Sequence, residues 1–189
     1  MSIVTRALNL VGLERRSVPG PDGWPVPLSA SAVTPTTAQG VSAVYACVQA
    51  ISETVASLPL ILFERSGDDR KRATAHPLYR VLHDQFNPEL TALEGREYLQ
   101  ACVLLRGNGF ARIEWGMDGQ VRALWPLPPD TRVRRAPSGG LLYEYSDGTG
   151  KLHTLLSHEV LHLRHRLGDD GILGVSPIAA ARGVVELAQ

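Results

Sequence analysis

Cysteine is nearly absent from the sequence: Cys47 and Cys102 are the only two in 189 residues. Two cysteines cannot frame a disulfide-stapled fold. Each lies in an apolar stretch of helical pattern, so both are expected to be small buried hydrophobes, unpaired. Long hydrophobic runs are missing too; none approaches the ~18 apolar residues that a bilayer span needs. Met1 to Arg16 mixes Ile3, Val4, Leu8, Val11 and Leu13 with Arg6 and Asn9. It lacks a continuous apolar core and a small-residue cleavage site, so no secretory signal is read and a cytosolic product with no membrane partner is expected.

Net charge is likewise missing. Nineteen Lys+Arg balance nineteen Asp+Glu. That argues against a dedicated binder of DNA or membrane surfaces, which carries a basic field, but leaves room for a local patch. Lysine is scarce, two against seventeen arginines, a bias that genome composition explains as readily as phosphate chemistry. The chain is 44% hydrophobic and 20% charged, which excludes collagen, coiled coil and wholesale disorder. A chain of this size buries roughly 70% of its unfolded surface, enough for one domain or a domain with an arm.

Residues 17–40 form the clearest boundary. Pro19, Pro21, Pro25, Pro27 and Pro35 join Gly20, Gly23 and Gly40 there, the composition of an extended or mobile arm over residues 1–40. Trp24 is either an anchor within that arm or a side chain folded onto the body. From Val41 onward, Val44, Tyr45, Val48, Ile51 and Val55 follow the i, i+3, i+4, i+7 rule of a buried helical face. Leu58-Pro59 ends that helix. Leu60 to Glu64 is a β-rich run, and Arg65 to Arg72, with Gly67, is a hairpin tip or loop. His76-Pro77 opens a short helix through Leu82. Asn87-Pro88 is a turn. Thr91 and Glu94 match a capping box. The helix that follows runs to about Leu105, with Leu93, Tyr98 (or Glu97), Ala101, Leu104 and Leu105 as its apolar stripe, and Gly107-Asn108-Gly109 stops it.

Beyond Gly109 the period changes to two. Phe110 to Trp115, Gln120 to Leu124, Thr131 to Arg135, Leu141 to Tyr145, Lys151 to Leu155 and Val160 to His165 all predict strands, with hairpin signals at Asp118-Gly119 and Asp147-Gly148. Gly168 to Gly174 is a glycine-rich loop. Ser176-Pro177 caps a helix that reaches the last residue without a stop signal, so the chain is expected to be cut inside it. The fold class expected is α+β: N-terminal helices, then a mainly antiparallel, turn-rich sheet region, then a truncated terminal helix.

Three constellations could carry chemistry. His158-Glu159-Val160-Leu161-His162 has the HExxH spacing that on a helix grips zinc with two imidazoles and uses the glutamate as general base. The surrounding alternation is that of a strand, where positions 158 and 162 lie roughly 13 Å apart, too far for one metal. A third ligand is poorly supplied, since His165 takes the opposite strand face and Glu186 lies far along the chain. Gly168-Asp169-Asp170-Gly171-Ile172-Leu173-Gly174 resembles a phosphate cradle or a calcium loop only loosely. It lacks the lysine and glycine spacing of the first and the alternating oxygens of the second, so a turn bearing two solvated acids is the better reading. Arg132, Arg134, Arg135, Arg164 and Arg166 would form a basic patch if their strands were neighbours, with a solvated sheet face as the plain alternative. No serine sits in a nucleophile elbow. No catalytic, cofactor-binding or metal-binding residue is assigned, and no cofactor is expected.

The order of the segments says more than any one of them. Val44-Tyr45-Ala46-Cys47-Val48 and Ile51-Ser52-Glu53-Thr54-Val55-Ala56-Ser57-Leu58-Pro59-Leu60 resemble the opening of the portal proteins of tailed double-stranded-DNA phages. In the same order follow His76-Pro77-Leu78-Tyr79-Arg80-Val81-Leu82, Phe86-Asn87-Pro88, Gly107-Asn108-Gly109-Phe110-Ala111, Leu124-Trp125-Pro126-Leu127-Pro128-Pro129-Asp130, Glu159-Val160-Leu161-His162 and Gly171-Ile172-Leu173-Gly174-Val175-Ser176-Pro177-Ile178. In that family an acidic residue stands where His158 stands here, which makes the HExxH spacing accidental. The resemblance over residues 41–189 implies a structural, non-enzymatic subunit of a ring, commonly of twelve, at one capsid vertex. Such a ring nucleates head assembly, conducts DNA in packaging and ejection without binding it specifically, and meets capsid protein, terminase and a head–tail adaptor. It implies a virion location after synthesis in the host bacterial cytoplasm. The matched part corresponds to the outer wing, with stem, clip and crown missing. The isolated chain is therefore expected to be monomeric or weakly associating. Rival readings are a zinc-dependent hydrolase on His158, Glu159 and His162, and a DNA-binding module on the arginine-bearing strands.

Overall fold

The computed structural model describes residues 17–19, 25–27, 42–137 and 139–180. Met1 to Arg16, Trp24 and the helix expected beyond Ala180 lie outside the described residues. Within the Pro/Gly-rich segment, β1 (Ser17–Pro19) and β2 (Pro25–Pro27) pair antiparallel, Val18 opposite Val26. Both strands lie inside the segment whose composition predicts an arm.

Helix α1 spans Ser42–Ser57. Its buried positions differ from those its periodicity predicts. Tyr45 (54% exposed), Ile51 and Val55 face outward, while Ser52 and Ala56 are buried. Small residues let α1 lie close against α3 (Ala92–Arg106); the larger apolar side chains point away from that contact. Cys47 is exposed as a consequence, contrary to expectation, whereas Cys102 is buried. Arg96 of α3 ties the end of α1 down. Its Nη2 donates to the Ala56 carbonyl at 2.8 Å, and its Nη1 to the Leu82 carbonyl at 2.7 Å. Burial lowers the Arg96 pKa from the ordinary arginine value.

The strand expected at Leu60–Glu64 begins later. Strands β3 (Phe63–Ser66) and β4 (Asp69–Arg72) form an exposed hairpin around a two-residue turn, with Gly67 at φ +66°. Helix α2 (Pro77–His83) starts as predicted, with the His76 Nδ1 accepting from Leu78 N–H and proline at the first position. The Asn87-Pro88 turn joins β5 (Gln85–Asn87) to β6 (Leu90–Thr91). Asn87 is buried, with each end of its amide used. Its Oδ1 accepts from Glu89 and Leu90 N–H, and its Nδ2 donates to the Leu124 carbonyl at 2.8 Å. The capping box of α3 is present in both directions between Thr91 and Glu94.

The stripe predicted for α3 is out of phase. Leu93 and Tyr98 are partly exposed, and the buried face is Ala92, Gly95, Leu99, Cys102 and Val103. Gly95 explains the shift: a Cβ there would overlap the Phe86 ring, so the helix rolls its smallest residue onto an aromatic. Periodicity weighted toward large side chains misses such a face.

The expected strands follow in order: β7 (Asn108–Trp115), β8 (Val121–Pro126), β9 (Arg132–Arg135), β10 (Leu141–Ser146), β11 (Leu152–Leu156) and β12 (Val160–Arg164). They make two antiparallel sheets, ordered β12-β7-β8 and β11-β10-β9. Strand β7 lies between two cores, which removes its expected alternation: Asn108 through Ala111 are all buried. Ala111 joins Leu99, Phe86, Val81 and Leu124 beneath α3 and α2. Phe110, on the opposite face of β7, joins Leu127, Tyr143 and Val160 beneath the second sheet. The fold is α+β, as expected.

Candidate functional site

The most ordered polar cluster lies where β7, β12 and the glycine-rich loop meet. Helix α3 ends at Gly107 in the left-handed region, φ +82°. A Cβ at Gly107 would collide with the backbone of Gly174–Ser176, and one at Gly174 with the Gly107 carbonyl. Only glycine at both places lets the two backbones touch. Asn108 locks the contact. Its Oδ1 accepts from Gly174 N–H at 2.7 Å and its Nδ2 donates to the Gly174 carbonyl at 3.0 Å. Gly107 also accepts from His165 N–H at 2.9 Å. Ser176 caps α4 (Pro177–Ala180) as predicted, and its hydroxyl donates to the Leu105 carbonyl at 2.8 Å.

His162 completes the cluster from β12. Its Nε2 lies 3.0 Å from Asn108 Oδ1, and its Nδ1 lies 3.2 Å from the Tyr143 hydroxyl. The Asn108 oxygen is fixed as an acceptor by the Gly174 amide, so His162 carries its proton on Nε2 and Nδ1 accepts from Tyr143. Burial, reinforced by the Arg164 guanidinium, pulls the His162 pKa down to about 4. Burial also raises the Tyr143 pKa. The Phe110 ring packs on the imidazole with centroids 4.5 Å apart.

The HExxH spacing does not make a metal site. Ser157–Glu159 is a single 3-10 turn and His162 stands on a strand, so no helical turn brings His158 and His162 together. Both His162 nitrogens are already in hydrogen bonds, and the Glu159 carboxylate accepts from Leu156 N–H at 2.8 Å. Among the described residues no group of three or more His, Cys, Asp or Glu is placed to hold a metal ion. His162 stands on a strand, as the alternation predicted.

In the glycine-rich loop, Asp170 turns its Oδ1 onto the Ile172 and Leu173 amides at 2.9 and 3.0 Å, which lowers its pKa. Asp169 is exposed. This is the turn reading: one oxygen of the Asp170 carboxylate accepts from its own backbone. The arginines do not combine either. Arg132, Arg134 and Arg135 lie on an edge strand of one sheet, and Arg164 lies on an edge strand of the other, with Arg166 two residues beyond it. Arg134 is paired with Glu144 at 2.6 Å, and Arg164 Nη1 donates to the Ile172 carbonyl. The sequence reading treated Gly107-Asn108-Gly109 as a helix stop alone. The buried interlock with Gly174 was missed; the signal available for it was a second glycine-rich loop ending in a serine cap.

The described residues thus define a scaffold module: two three-stranded sheets, small two-stranded ribbons and four helices, whose polar motifs join one element to the next. The family model described as "Phage portal protein" matches residues 42–189. The chain belongs to the phage portal protein family. It is 31% identical over 143 residues to the portal protein of Enterobacteria phage HK97, covering 75% of this chain and 33% of that protein. It is 32% identical over 108 residues to protein BeeE of Escherichia coli K12, covering 54% of this chain and 68% of BeeE. It is 30% identical over 174 residues to the probable portal protein of Streptomyces phage phiC31, covering 86% of this chain. The chain therefore spans about a third of the HK97 and phiC31 proteins, whose matched shares are 33% and 37%. Among solved structures, its fold matches a chain in the neck of an empty GTA particle with a TM-score of 0.71 at 24% identity, covering 98% of this chain and 49% of the other. It also matches a chain in the neck of a native GTA particle computed with C12 symmetry, at 0.63 and 22%, covering 98% and 47%.

Proposed function

We propose that this chain is the wing portion of a portal subunit, a non-catalytic structural part of a ring at one capsid vertex through which DNA enters and leaves the head. The family match across residues 42–189 carries the reading. Residues 41–189 are the wing-like domain and residues 1–40 an arm that packs on a neighbour or on capsid. The ring, of twelve subunits by analogy with the C12-symmetric neck that shares its fold, nucleates head assembly. It meets capsid protein, terminase and a head–tail adaptor, and resides in the virion.

The physics favours a conduit. Duplex DNA carries one negative charge per ~1.7 Å, and a strongly basic bore would grip it by counterion release. A chain of zero net charge avoids that. A ring requires a head-to-tail interface whose rotation closes on itself. The outward apolar side chains of α1, Tyr45, Ile51 and Val55, are available for such a contact.

The test is expression of the longest reading frame containing this sequence, viewed by electron microscopy. Closed rings are expected, with the 189-residue chain alone monomeric or weakly associating by light scattering. A monodisperse monomer from the long frame that holds stoichiometric zinc, and hydrolyses a substrate in a manner lost on Glu159→Ala, would overturn the proposal.

A further inference from the structure

We infer that one flank of α1 is the docking surface for residues 181–189 of the same chain. Val44, Val48, Ile51 and Val55 recur at the i, i+4, i+7, i+11 spacing of an apolar helix seam, and Leu58 extends the row just past the helix end. At 100° per residue the row lies about 100° round the helix from the buried pair Ser52 and Ala56. Val44 and Val48 are half-buried, while Ile51 is 45% exposed, Val55 40% and Leu58 63%. The flank on the other side of Ser52 and Ala56 is polar: Gln49 and Glu53 are exposed there and hydrogen-bonded to each other at 2.7 Å. One flank of α1 thus suits water, and the other is a contiguous apolar row.

The chain itself leads to that row. The Ala56 carbonyl, near the end of α1, accepts from Arg96 near the start of α3. Since α1 lies along α3, the two helices run antiparallel. Helix α4 sets out from the other end of α3, where the Ser176 hydroxyl donates to the Leu105 carbonyl at 2.8 Å. It lies against α3, so it heads back along α3 and parallel to α1. The inner face of α3 belongs to the core, through Ala92 and Leu99 packed with Ala111, which leaves its outer side for α1 and α4. Arg96 to Leu105 is the same interval as Ala56 back to Cys47, so α4 starts about level with Cys47. Residue 181 then comes about level with Ser52. Continued as helix at 1.5 Å per residue, residues 181–189 reach about 13 Å further, past Ile51, Val55 and Leu58.

The pattern of that segment fits the row. Ala181, Val184, Val185 and Ala188 follow the i, i+3, i+4, i+7 rule in phase with Ile178, which is buried in α4. Arg182, Glu186 and Gln189 fall off that face. Gly183 weakens the segment as a free helix, so packing has to hold it. With the row occupied, Ile51 and Val55 are covered from within the chain. Tyr45 lies outside the row and stays exposed for a neighbouring subunit.

Disulfide trapping in the whole 189-residue chain tests this, with Cys47→Ser in every variant; Cys102 is buried. Val55→Cys combined with Val184→Cys is expected to close within one chain under mild oxidation, read as a monomer lighter by two hydrogens. Glu53→Cys combined with Val184→Cys places the first thiol on the polar flank and should close at least tenfold more slowly. Equal rates for the two pairs, or no closure of the first, overturns the inference. Disulfides formed only between chains also overturn it and make a second copy the occupant. Val185→Asp leaves α1 untouched and provides an independent reading. It removes a valine from apolar contact and should lower the folded-to-unfolded ratio about tenfold in urea unfolding; an unchanged midpoint refutes the docking. Neither result depends on whether the long frame forms rings.

Discussion

Acid is expected to loosen the joint that holds the glycine-rich loop, through His162. The folded chain keeps this imidazole neutral because burial disfavours its charged form; its Nε2 proton is given to Asn108 and its Nδ1 accepts from Tyr143. A second proton on Nδ1 would face the Tyr143 hydroxyl, with Arg164 adding a like charge nearby. The pKa falls from 6.5 to about 4. The unfolded chain therefore binds the proton first as pH drops. Stability is full above about pH 6.5 and is lost progressively down to about pH 4. At 1.36 kcal/mol per unit, a gap of two and a half units gives an upper bound of about 3.4 kcal/mol; part exposure of the ring reduces this to about 2. Glu94 and Asp170 are also shifted down, by hydrogen bonds from Thr91 and from the Ile172 and Leu173 amides. Their contributions fade only as pH falls below the ordinary carboxylate range, so the window from 6.5 to 4.5 separates them from His162. Urea unfolding at intervals between pH 7.5 and 4.5 reads the slope. His162→Gln keeps a donor toward Asn108 without a titrating ring, and it should lower stability slightly at pH 7.5 and flatten the acid slope. Parallel pH profiles for the native chain and His162→Gln would refute the reasoning.

Three further outcomes follow from packing. Asn108→Ala strips the Gly174 amide and the His162 Nε2–H of their acceptor in a buried place, and it should cost about 2–3 kcal/mol in urea unfolding. The Gly174 amide should also lose protection in hydrogen exchange. Gly95→Ala forces a methyl into the Phe86 ring and should cost about 1–3 kcal/mol, with Phe86→Leu recovering part of the loss in the double variant. Among the described residues the buried Ser52 hydroxyl of α1 has no hydrogen-bond partner, so Ser52→Ala should raise stability by about 1 kcal/mol, read as a higher urea midpoint at unchanged slope.

Much of the architecture is legible wherever a local rule and the tertiary fold agree. Strands β8 to β12 follow from alternation and from Asp-Gly turns, and β12 is separable from an HExxH helix on period alone; β7, buried on both faces at its start, is the exception. The capping box at Thr91 and Glu94 and the proline-started α2 satisfy their own free amides, so no distant residue is needed to see them. The helix faces are not legible, because a periodic pattern says that an apolar stripe exists and not what covers it. On α1 the large apolar residues point outward and Ser52 and Ala56 are buried. On α3 the buried face is built around Gly95, which carries no hydrophobic signal at all.

The candidate site shows the same limit from the other side. Asn108 and Gly174 stand 66 residues apart, and neither motif announces the other. Each has an adequate local explanation, a helix stop and a loop. Placed together, they explain why the two motifs need those residues: the left-handed Gly107 lets Asn108 turn inward, and the bare Gly174 lets the returning backbone reach it. Asn87 does the same between β5 and β8. The segments that carry the family resemblance are thus the places where one element is tied to another, which is what a module that must hold its shape inside a larger assembly requires.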